Sequence, residues 1–331
     1  MPPVSDPSAK RTPFTFHFSL PLKEVFPTTD PRCYHRANRV GAMLMLMALC
    51  QHAVPAVFYA CLQAGGADPQ AAAWGLPYAS FLLLYLLMYA LVMLIPTLLS
   101  RRFLMPSSAR TSPLNLSSDR RMSVVLCGVA LCLLANILAS ALSGFLTVEG
   151  ITRPQDAADG TFLTLLLELV VFAVVPAVLE EWLLRATVLR TLRPLGDFAA
   201  VIVSSVLFGL IHGNLSQAPY ALLMGLILGW FYLYTDDLRL VVLIHAAANA
   251  LSVITTYLLR FTPSEVFGFW QAAIRIIALL LGGLAALWLC RHPLTRRRPA
   301  PQATVAARYG ALFRAPLLWA AIVLMLIPLI F

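Results

Sequence analysis

Long apolar runs dominate the chain from residue 40 onwards. They recur at about the length of a membrane-spanning helix, roughly 20 residues. The first eight are well defined and the ninth is short. They lie at 40–63, 76–99, 122–147, 161–189, 198–216, 218–235, 238–259, 267–290 and 316–331. This pattern predicts an all-α fold, a polytopic transmembrane helix bundle with about eight to nine spans.

Composition supports a membrane protein and excludes several other classes. Hydrophobic residues make up 60% of the chain and charged residues 12%, which is not the composition of a soluble domain. The net charge of +9 comes from arginines in short loops between apolar runs, so it predicts membrane topology and no nucleic-acid binding. Five of the six cysteines lie in apolar runs or at their ends, and only Cys33 lies in the polar N-terminal arm. This distribution argues against a disulfide framework or a zinc finger.

The distribution of arginine predicts which loops face the cytoplasm. Five arginines lie in 100–121 and no basic residue lies in 64–75, so the positive-inside rule places 100–121 in the cytoplasm. Alternation along the chain then brings the other basic clusters to the same side, with the N-terminus cytoplasmic. The short-looped, Ala- and Arg-rich layout is compatible with a bacterial inner membrane.

The chain divides into four segments on this reading. Residues 1–39 form a cytoplasmic arm, and 40–147 contain the first spans with the basic loop 100–121. The segment 161–259 carries the polar motifs described next. Residues 267–331 hold the last spans and a basic, Pro-rich connector at 293–301.

Two adjacent carboxylates and an arginine lie inside the fourth span, where each charge costs roughly 2.5–3.5 kcal/mol at a helix centre. Glu181 and Arg185 are four residues apart, which places them on one helix face in the favourable order for an ion pair. Glu180 points away from that pair and is available to take up a proton. The alternative is a neutralised charge cluster that only fixes helix packing.

Two later spans carry histidines. Phe208 and His212 share a face of the fifth span, and His245 and Asn249 share a face of the seventh. A histidine in a span is a candidate base, proton relay or metal ligand, and an asparagine can donate to a developing oxyanion. Each histidine alone could equally be a hydrogen-bonded packing residue. Their occurrence together with Glu180, among small residues that let helices approach, favours a shared site.

In order and spacing, these three motifs resemble those of the CPBP family, which comprises type II CAAX prenyl endopeptidases and bacterial Abi proteins. The resemblance covers 161–259, about a third of the chain. It implies an intramembrane endopeptidase in which Glu180 and His212 activate water. His245 and Asn249 would then stabilise the oxyanion, and Glu181, Arg185 and Phe208 would support the site.

The resemblance leaves metal dependence open. Glu180, His212 and His245 are a legitimate set of zinc ligands with a free position for water. Neither histidine belongs to a His-Glu-x-x-His helix, however, and asparagine is unusual near zinc. The sequence therefore slightly favours activation of water without tightly held Zn²⁺. The expected partners are a membrane-associated protein or peptide substrate and the lipid bilayer.

The span boundaries place Glu180, His245 and His212 at different depths, so helices must tilt or the 190–197 connector must dip for them to meet. We expect a water-accessible cavity that opens to the cytoplasmic side and has Asn214 at its mouth. His52, Asn136 and Glu168 are interpreted as packing or hydrogen-bonding residues. Glu168 lies about 18 Å from Glu180 along the helix, too far to be expected in the same site.

Two other functions use the same buried residues. A proton-coupled transporter would employ Glu180 and the histidines as a relay, but such folds commonly contain internal repeats, and the sequence shows none. A membrane scaffold would bind other proteins without turnover. Substitution of Glu180 separates the enzyme from the scaffold.

Overall fold

The computed structural model describes residues 29–68, 71–99, 102, 113–145, 160–261, 263–294 and 304–330. These residues form ten long or medium-length helices, a short 3₁₀ helix at Ala72–Gly75 and no strand, which confirms the all-α prediction. The helices are α1 Pro31–Ala64, α2 Tyr78–Leu99, α3 Ser118–Phe145, α4 Phe162–Leu195, α5 Asp197–Ile211, α6 Ala218–Thr235, α7 Leu238–Phe261, α8 Ser264–Arg291, α9 Val305–Phe313 and α10 Pro316–Ile330.

Seven helices within the described ranges are long and apolar enough to cross a membrane. The number is eight if α9 and α10, which are bent by 52°, form one span. The predicted fifth span at 198–216 is not among them. Its helix, α5, has 15 residues, or about 22 Å by helical rise, whereas a bilayer core is ~30 Å thick. The chain turns after His212, where Gly213 adopts a φ of 64°.

Parts of the predicted segments lie outside the described residues. These parts are 1–28 of the N-terminal arm, most of the basic loop 100–121, the connector 148–159 and most of the connector 293–301. The division of the chain into four segments therefore stays a prediction.

Arginine side chains join the helices at one end of the bundle. Arg193 contacts Asp236 at 2.8 Å and Asp197 at 3.4 Å, which links α4, α5 and the turn after α6. Arg36 donates to the carbonyl of Thr191 and Arg308 to that of Leu195, both at the C-terminal end of α4. We call this the basic end of the bundle, and it is built from 29–36, 113–121, 190–197, 235–239 and 304–314. The opposite end is called the distal end.

The helix α4 is irregular on both sides of Glu180. Val170–Val174 and Trp182–Leu189 are π-helical. Pro176 accounts for the first segment, because proline lacks an N–H and its ring crowds the preceding turn. Such widened turns are rare and occur frequently at functional sites.

A turn at Gly196 brings α4 and α5 together as an antiparallel hairpin. Its φ of 117° is accessible to glycine and strained for other residues. Glu180 precedes Gly196 by sixteen positions and His212 follows it by sixteen. Both side chains line one cavity, so the hairpin brings them to a similar level. The depth mismatch expected from the span boundaries is absent between them, since α4 extends beyond residue 189.

Close helix contacts depend on glycine. Gly128 of α3 packs directly on Ile244 of α7, and Gly282 of α8 packs on Ala130 of α3. A side chain at either glycine would overlap its neighbour. Small residues at such crossings are typical of helix packing in membranes, and here they fix the register of α3, α7 and α8.

Candidate active site

Glu181 and Arg185 form the ion pair that their spacing predicts. Arg185 Nε lies 3.0 Å from Glu181 Oε2, and both side chains have no exposed surface. Arg185 Nη2 also donates to the carbonyl of Gly225 at 3.1 Å, which ties α4 to α6. Because a buried charge without a partner is strongly destabilising, this pair anchors the centre of the bundle.

His245 lies between the two glutamates. Its Nδ1 is 2.9 Å from Glu181 Oε1, and its Nε2 is 3.7 Å from Glu180 Oε2. A carboxylate on one ring nitrogen fixes the orientation of an imidazole and the position of its proton. Glu181 therefore has a second contact that sequence spacing did not predict, since the spacing assigned it to Arg185 alone.

Phe208 joins the three motifs in space. Its ring packs edge-on against His212 at 5.0 Å and against His245 at 5.7 Å between centroids. The Arg185 guanidinium lies over the ring, 4.9 Å from its centre, within range of a cation–π interaction. Phe208, which the sequence predicts to support the site, thus lies where α4, α5 and α7 meet.

His212 lies at the C-terminal end of α5 with one nitrogen engaged. Its Nδ1 is 2.8 Å from the carbonyl of Phe208, which requires the proton on Nδ1, because a carbonyl oxygen only accepts. In the neutral ring, Nε2 is then an acceptor. Asn214 donates to the His212 carbonyl at 3.2 Å and holds the turn in place.

Tyr89 is a site residue that sequence reasoning missed. Its hydroxyl donates to Glu180 Oε1 at 2.5 Å and links α2 to the site. The signal available in the sequence was a tyrosine stripe on α2, at positions 78, 85 and 89, which helical spacing puts on roughly one face. Nothing in that spacing identifies Glu180 as the partner.

These residues line a cavity of about 850 Å³, a size typical of ligand sites. Glu180, His212, His245, Asn249 and Asn214 all border it. Glu181 and Arg185 lie behind its wall. The structure thus brings all four predicted catalytic residues to one space, and their chemical roles remain proposals.

The cavity occupies the half of the bundle away from the basic end. In α7 its lining begins at His245 and reaches Arg260, and in α4 it runs from Glu180 back to Glu168. The sequence predicted an opening on the side of the basic loops. The lining residues lie in the other half, because the site forms at the level where α5 ends.

A second cavity of about 350 Å³ lies between α1, α2, α5 and α10. It shares Glu180, Tyr89 and His212 with the larger one. His52 borders it, and its Nδ1 lies 2.7 Å from the Ala48 carbonyl, in agreement with the predicted hydrogen-bonding role. Glu180 and His212 therefore border both cavities, one on each side.

One comparison with known proteins identifies the segment that carries this site. Residues 162–251 match the family model described as Type II CAAX prenyl endopeptidase Rce1-like. The match confirms the resemblance inferred from the three motifs. No curated protein and no solved structure matches the chain significantly.

The Rce1-like segment contains all seven residues predicted for the site. It covers a little over a quarter of the chain and runs from the start of α4 into the middle of α7. Tyr89 and the parts of the cavity wall formed by α2, α3, α8 and the end of α7 lie outside it. The remaining helices therefore complete a site whose central motifs belong to the Rce1-like segment.

Glu168, near the start of the Rce1-like segment, has the partners that the sequence did not reveal. It accepts from Tyr78 at 2.6 Å and pairs with Arg260 at 2.7 Å. This agrees with its prediction as a hydrogen-bonding residue. The expectation that it lies outside the site needs correction, because Glu168 lines the same cavity as Glu180. The cavity extends much further along α4 than one catalytic centre requires.

The predicted zinc ligands of the Rce1-like segment are not assembled as a metal site. Among the described residues, no group of three or more His, Cys, Asp or Glu side chains is arranged to hold a metal ion. Nδ1 of His212 and Nδ1 of His245 have hydrogen-bond partners, which is also usual for zinc-bound histidines, so the absence of an assembled ligand group is what decides the fit. The arrangement as it stands does not fit Zn²⁺, so we derive no step through a metal.

Proposed function

We propose that the protein is an intramembrane endopeptidase that hydrolyses a peptide bond of a membrane-associated protein or peptide. The observation that carries the proposal is the position of Glu180. Its carboxylate borders the cavity, 3.7 Å from His245 and 2.5 Å from Tyr89, whereas the adjacent Glu181 neutralises Arg185. A carboxylate free of the buried arginine is available for proton transfer.

In this mechanism, Glu180 and His212 activate a water molecule: Nε2 of His212 accepts a hydrogen bond from the water, and Glu180 takes up the proton that the water loses. His212 has its acceptor nitrogen Nε2 unoccupied when Nδ1 donates to Phe208. The water oxygen attacks the scissile carbonyl carbon and forms a tetrahedral intermediate. When that intermediate collapses, the C–N bond breaks and the proton passes to the leaving amine.

His245 and Asn249 supply hydrogen bonds to the oxyanion of the intermediate. When His245 is protonated on both nitrogens, Glu181 accepts from Nδ1 and Nε2 faces the cavity as a donor. The charges of Glu180, Glu181, Arg185 and His245 then sum to zero. A balanced cluster avoids the cost of a net buried charge, and fixed donors at a developing oxyanion are a large source of catalysis.

The family match supports a CAAX-type endopeptidase that acts on a membrane-associated protein or peptide, and a bacterial location argues against a prenylated substrate. A bacterial inner membrane is the proposed location. The Arg-rich basic end would then face the cytoplasm by the positive-inside rule, and the cavity would lie in the half nearer the opposite side.

Quantitative proteomics of peptide termini tests the activity. Membranes from cells with wild-type protein should contain new termini that disappear with Glu180→Gln. Asp68→Asn, which alters an exposed carboxylate at the distal end, is the matched control and should keep them. An identical set of termini in wild type and Glu180→Gln would refute the protease. Full complementation of a deletion strain by Glu180→Gln would favour the scaffold.

Two native cysteines test the orientation. Cys61 near the distal end and Cys290 near the basic end are exposed, whereas the other four are buried. A membrane-impermeant maleimide applied to intact cells should label a Cys290→Ser variant and leave a Cys61→Ser variant unlabelled. The reverse pattern would place the basic end outside.

Metal content is tested directly. We expect protein purified without added metal to contain no stoichiometric zinc by inductively coupled plasma mass spectrometry. Stoichiometric zinc that is lost in His212→Ala would show that the side chains rearrange around a metal.

A further inference from the structure

The last four carbonyl groups of α5 have no partner inside the helix, yet each of them accepts a hydrogen bond. Three accept from His212 or Gly213 in the turn that follows, and they are the carbonyls of Phe208, Gly209 and Leu210. The fourth is that of Ile211, and it accepts from the side-chain amide of Gln51 at 2.6 Å. Gln51 belongs to α1 and is 160 positions away in the chain. A distant helix therefore satisfies one of the four groups at the end of α5.

The three local bonds shape the turn, but they do not fix its place in the bundle. Their donors belong to the turn itself and move together with the end of α5. The helix packs closely on α6, because a side chain at Gly209 would crowd the Ala218 carbonyl. At the basic end, Arg193 holds both helices through two aspartates. The bond from Gln51 lies at the opposite end of this pair of helices and connects it to α1.

The helix α1 is a firm support for Gln51, because α10 holds it at two points. Gly41 packs directly on the backbone of Leu317. The Asn38 side chain accepts from the N–H of the same leucine at 3.1 Å. Close crossings at small residues are typical of helix contacts in membranes. The position of Gln51 is thus set by the packing of α1 on α10.

The bond to Ile211 acts directly on the geometry of the site. His212 is the next residue, and its Nε2 accepts from water in the proposed mechanism. Glu180 lies on α4, so its distance from His212 depends on where the end of α5 is held. Gln51, Glu180 and His212 all border the cavity of about 350 Å³. A shift of about 1 Å in a catalytic group can lower a rate ~100-fold, so a single hydrogen bond at this point matters for catalysis.

We propose that Gln51 is a positioning residue of the active site. Its amide holds the Ile211 carbonyl and thereby keeps His212 where it and Glu180 bind the same water molecule. This inference rests on the proposed function and extends it beyond the Rce1-like segment, 162–251. The site depends on a donor from α1, which that segment does not contain.

Gln51→Leu tests the need for the donor, since leucine is of similar size and has no side-chain N–H. The full chain in detergent is assayed with a fluorogenic peptide whose cleavage sequence comes from the comparison of termini. We expect kcat to fall roughly tenfold to a hundredfold. KM should stay unchanged, because Gln51 borders the smaller cavity and not the larger one. A wild-type kcat, or a change confined to KM, would overturn the proposal.

Gln63→Leu is the matched control. Gln63 is an exposed glutamine of the same helix and lies outside both cavities. This variant should cleave like wild type. An equal loss of kcat in both variants would mean that any leucine at a glutamine of α1 impairs the enzyme, and the special role of Gln51 would be refuted.

Gln51→Glu adds a readout that a mere loss of packing does not produce. A carboxyl group has the size of the amide but donates only while it is protonated. Activity relative to wild type should therefore be highest at low pH and should fall to the level of Gln51→Leu as the pH rises. Each rate is divided by the wild-type rate at the same pH, because other titratable side chains border this cavity, namely His52, Tyr85, Tyr89, Glu180 and His212. A ratio that stays as low as that of Gln51→Leu at every pH would contradict the role of the donor.

Hydrogen exchange tests the same link without any cleavage. The amide protons of His212 and Gly213 close the end of α5, and they should exchange faster once that end is released. By mass spectrometry, we expect a peptide covering 208–214 to exchange roughly fivefold faster or more in Gln51→Leu than in wild type or Gln63→Leu. Unchanged exchange would overturn the proposal. Unchanged termini in the Glu180→Gln comparison would instead refute the protease, while the exchange result would still report the link between α1 and α5.

Discussion

The contacts of Glu181 make a prediction that separates stability from catalysis. Glu181→Met removes the partner of Arg185, whose side chain has no exposed surface, and leaves a charge buried and unpaired. Breaking one side of a buried ion pair costs about 3–5 kcal/mol. We therefore expect Glu181→Met to lower the free energy of unfolding by about that amount, measured by denaturation in detergent, and to stop cleavage.

The double variant Glu181→Met, Arg185→Met gives the decisive result. Replacing both members of a buried pair by apolar residues of similar size is often neutral or stabilising, so most of the stability should return, less the roughly 1–3 kcal/mol for the Nδ1–H of His245 that has lost its acceptor. Cleavage should stay at least ~100-fold below wild type, because His245 has lost the carboxylate on Nδ1 and a misplaced catalytic group costs about that factor. A double variant with wild-type activity would refute the orienting role of Glu181.

An ion pair remote from the cavity provides the control. Asp236 lies 2.8 Å from Arg193 at the basic end. Asp236→Asn keeps a residue that tolerates its left-handed backbone, φ 47°, and removes the charge. It should reduce stability and leave the cleavage rate of the folded fraction unchanged. Loss of cleavage in this variant would mean that any weakened ion pair impairs the enzyme.

Three further substitutions test the structure. Tyr89→Phe removes the hydroxyl that holds Glu180, and cleavage rates should fall roughly tenfold to a hundredfold, the effect of a charge-assisted hydrogen bond, while the chain stays folded by circular dichroism; an unaltered rate would place Tyr89 outside the site. Gly282→Leu would overlap Ala130, so overpacking should lower the free energy of unfolding by about 1–3 kcal/mol; wild-type stability would contradict the contact between α8 and α3. Glu168→Gln leaves Arg260 without its carboxylate and should destabilise the chain by about 3–5 kcal/mol; an unchanged free energy of unfolding would contradict this buried pair.

The sequence predicts those features of the site that depend on spacing within one helix. Helical geometry accounts for the Glu181–Arg185 pair and for the shared face of Phe208 and His212. It also accounts for the separation of Glu180 from Arg185. Contacts between helices are different. Tyr89 and Glu180 are far apart in the chain, as are His245 and Glu181, so no local pattern identifies them as partners.

The same division applies to the fold: features of single helices were predictable, and features that depend on packing between helices were not. Apolar runs indicate helices, but they do not show that α5 is shorter than a bilayer or that α4 continues to Leu195 through π-helical turns. Both departures depend on how neighbouring helices pack. They explain why the predicted depths of Glu180 and His212 disagreed and why the cavity lies in the distal half of the bundle.

Because α4 and α5 meet at the turn at Gly196, the number of residues between Glu180 and His212 affects the geometry of the site. Since Glu180 and His212 are equally far from Gly196, one residue inserted into either arm would raise one side chain past the other by about 1.5 Å and rotate it by ~100°. The lengths of the two arms of the hairpin therefore determine where the Glu180 and His212 side chains lie relative to each other. Insertions can be absorbed in the connectors between other helices, but an insertion between Glu180 and His212 would change how these two side chains face each other.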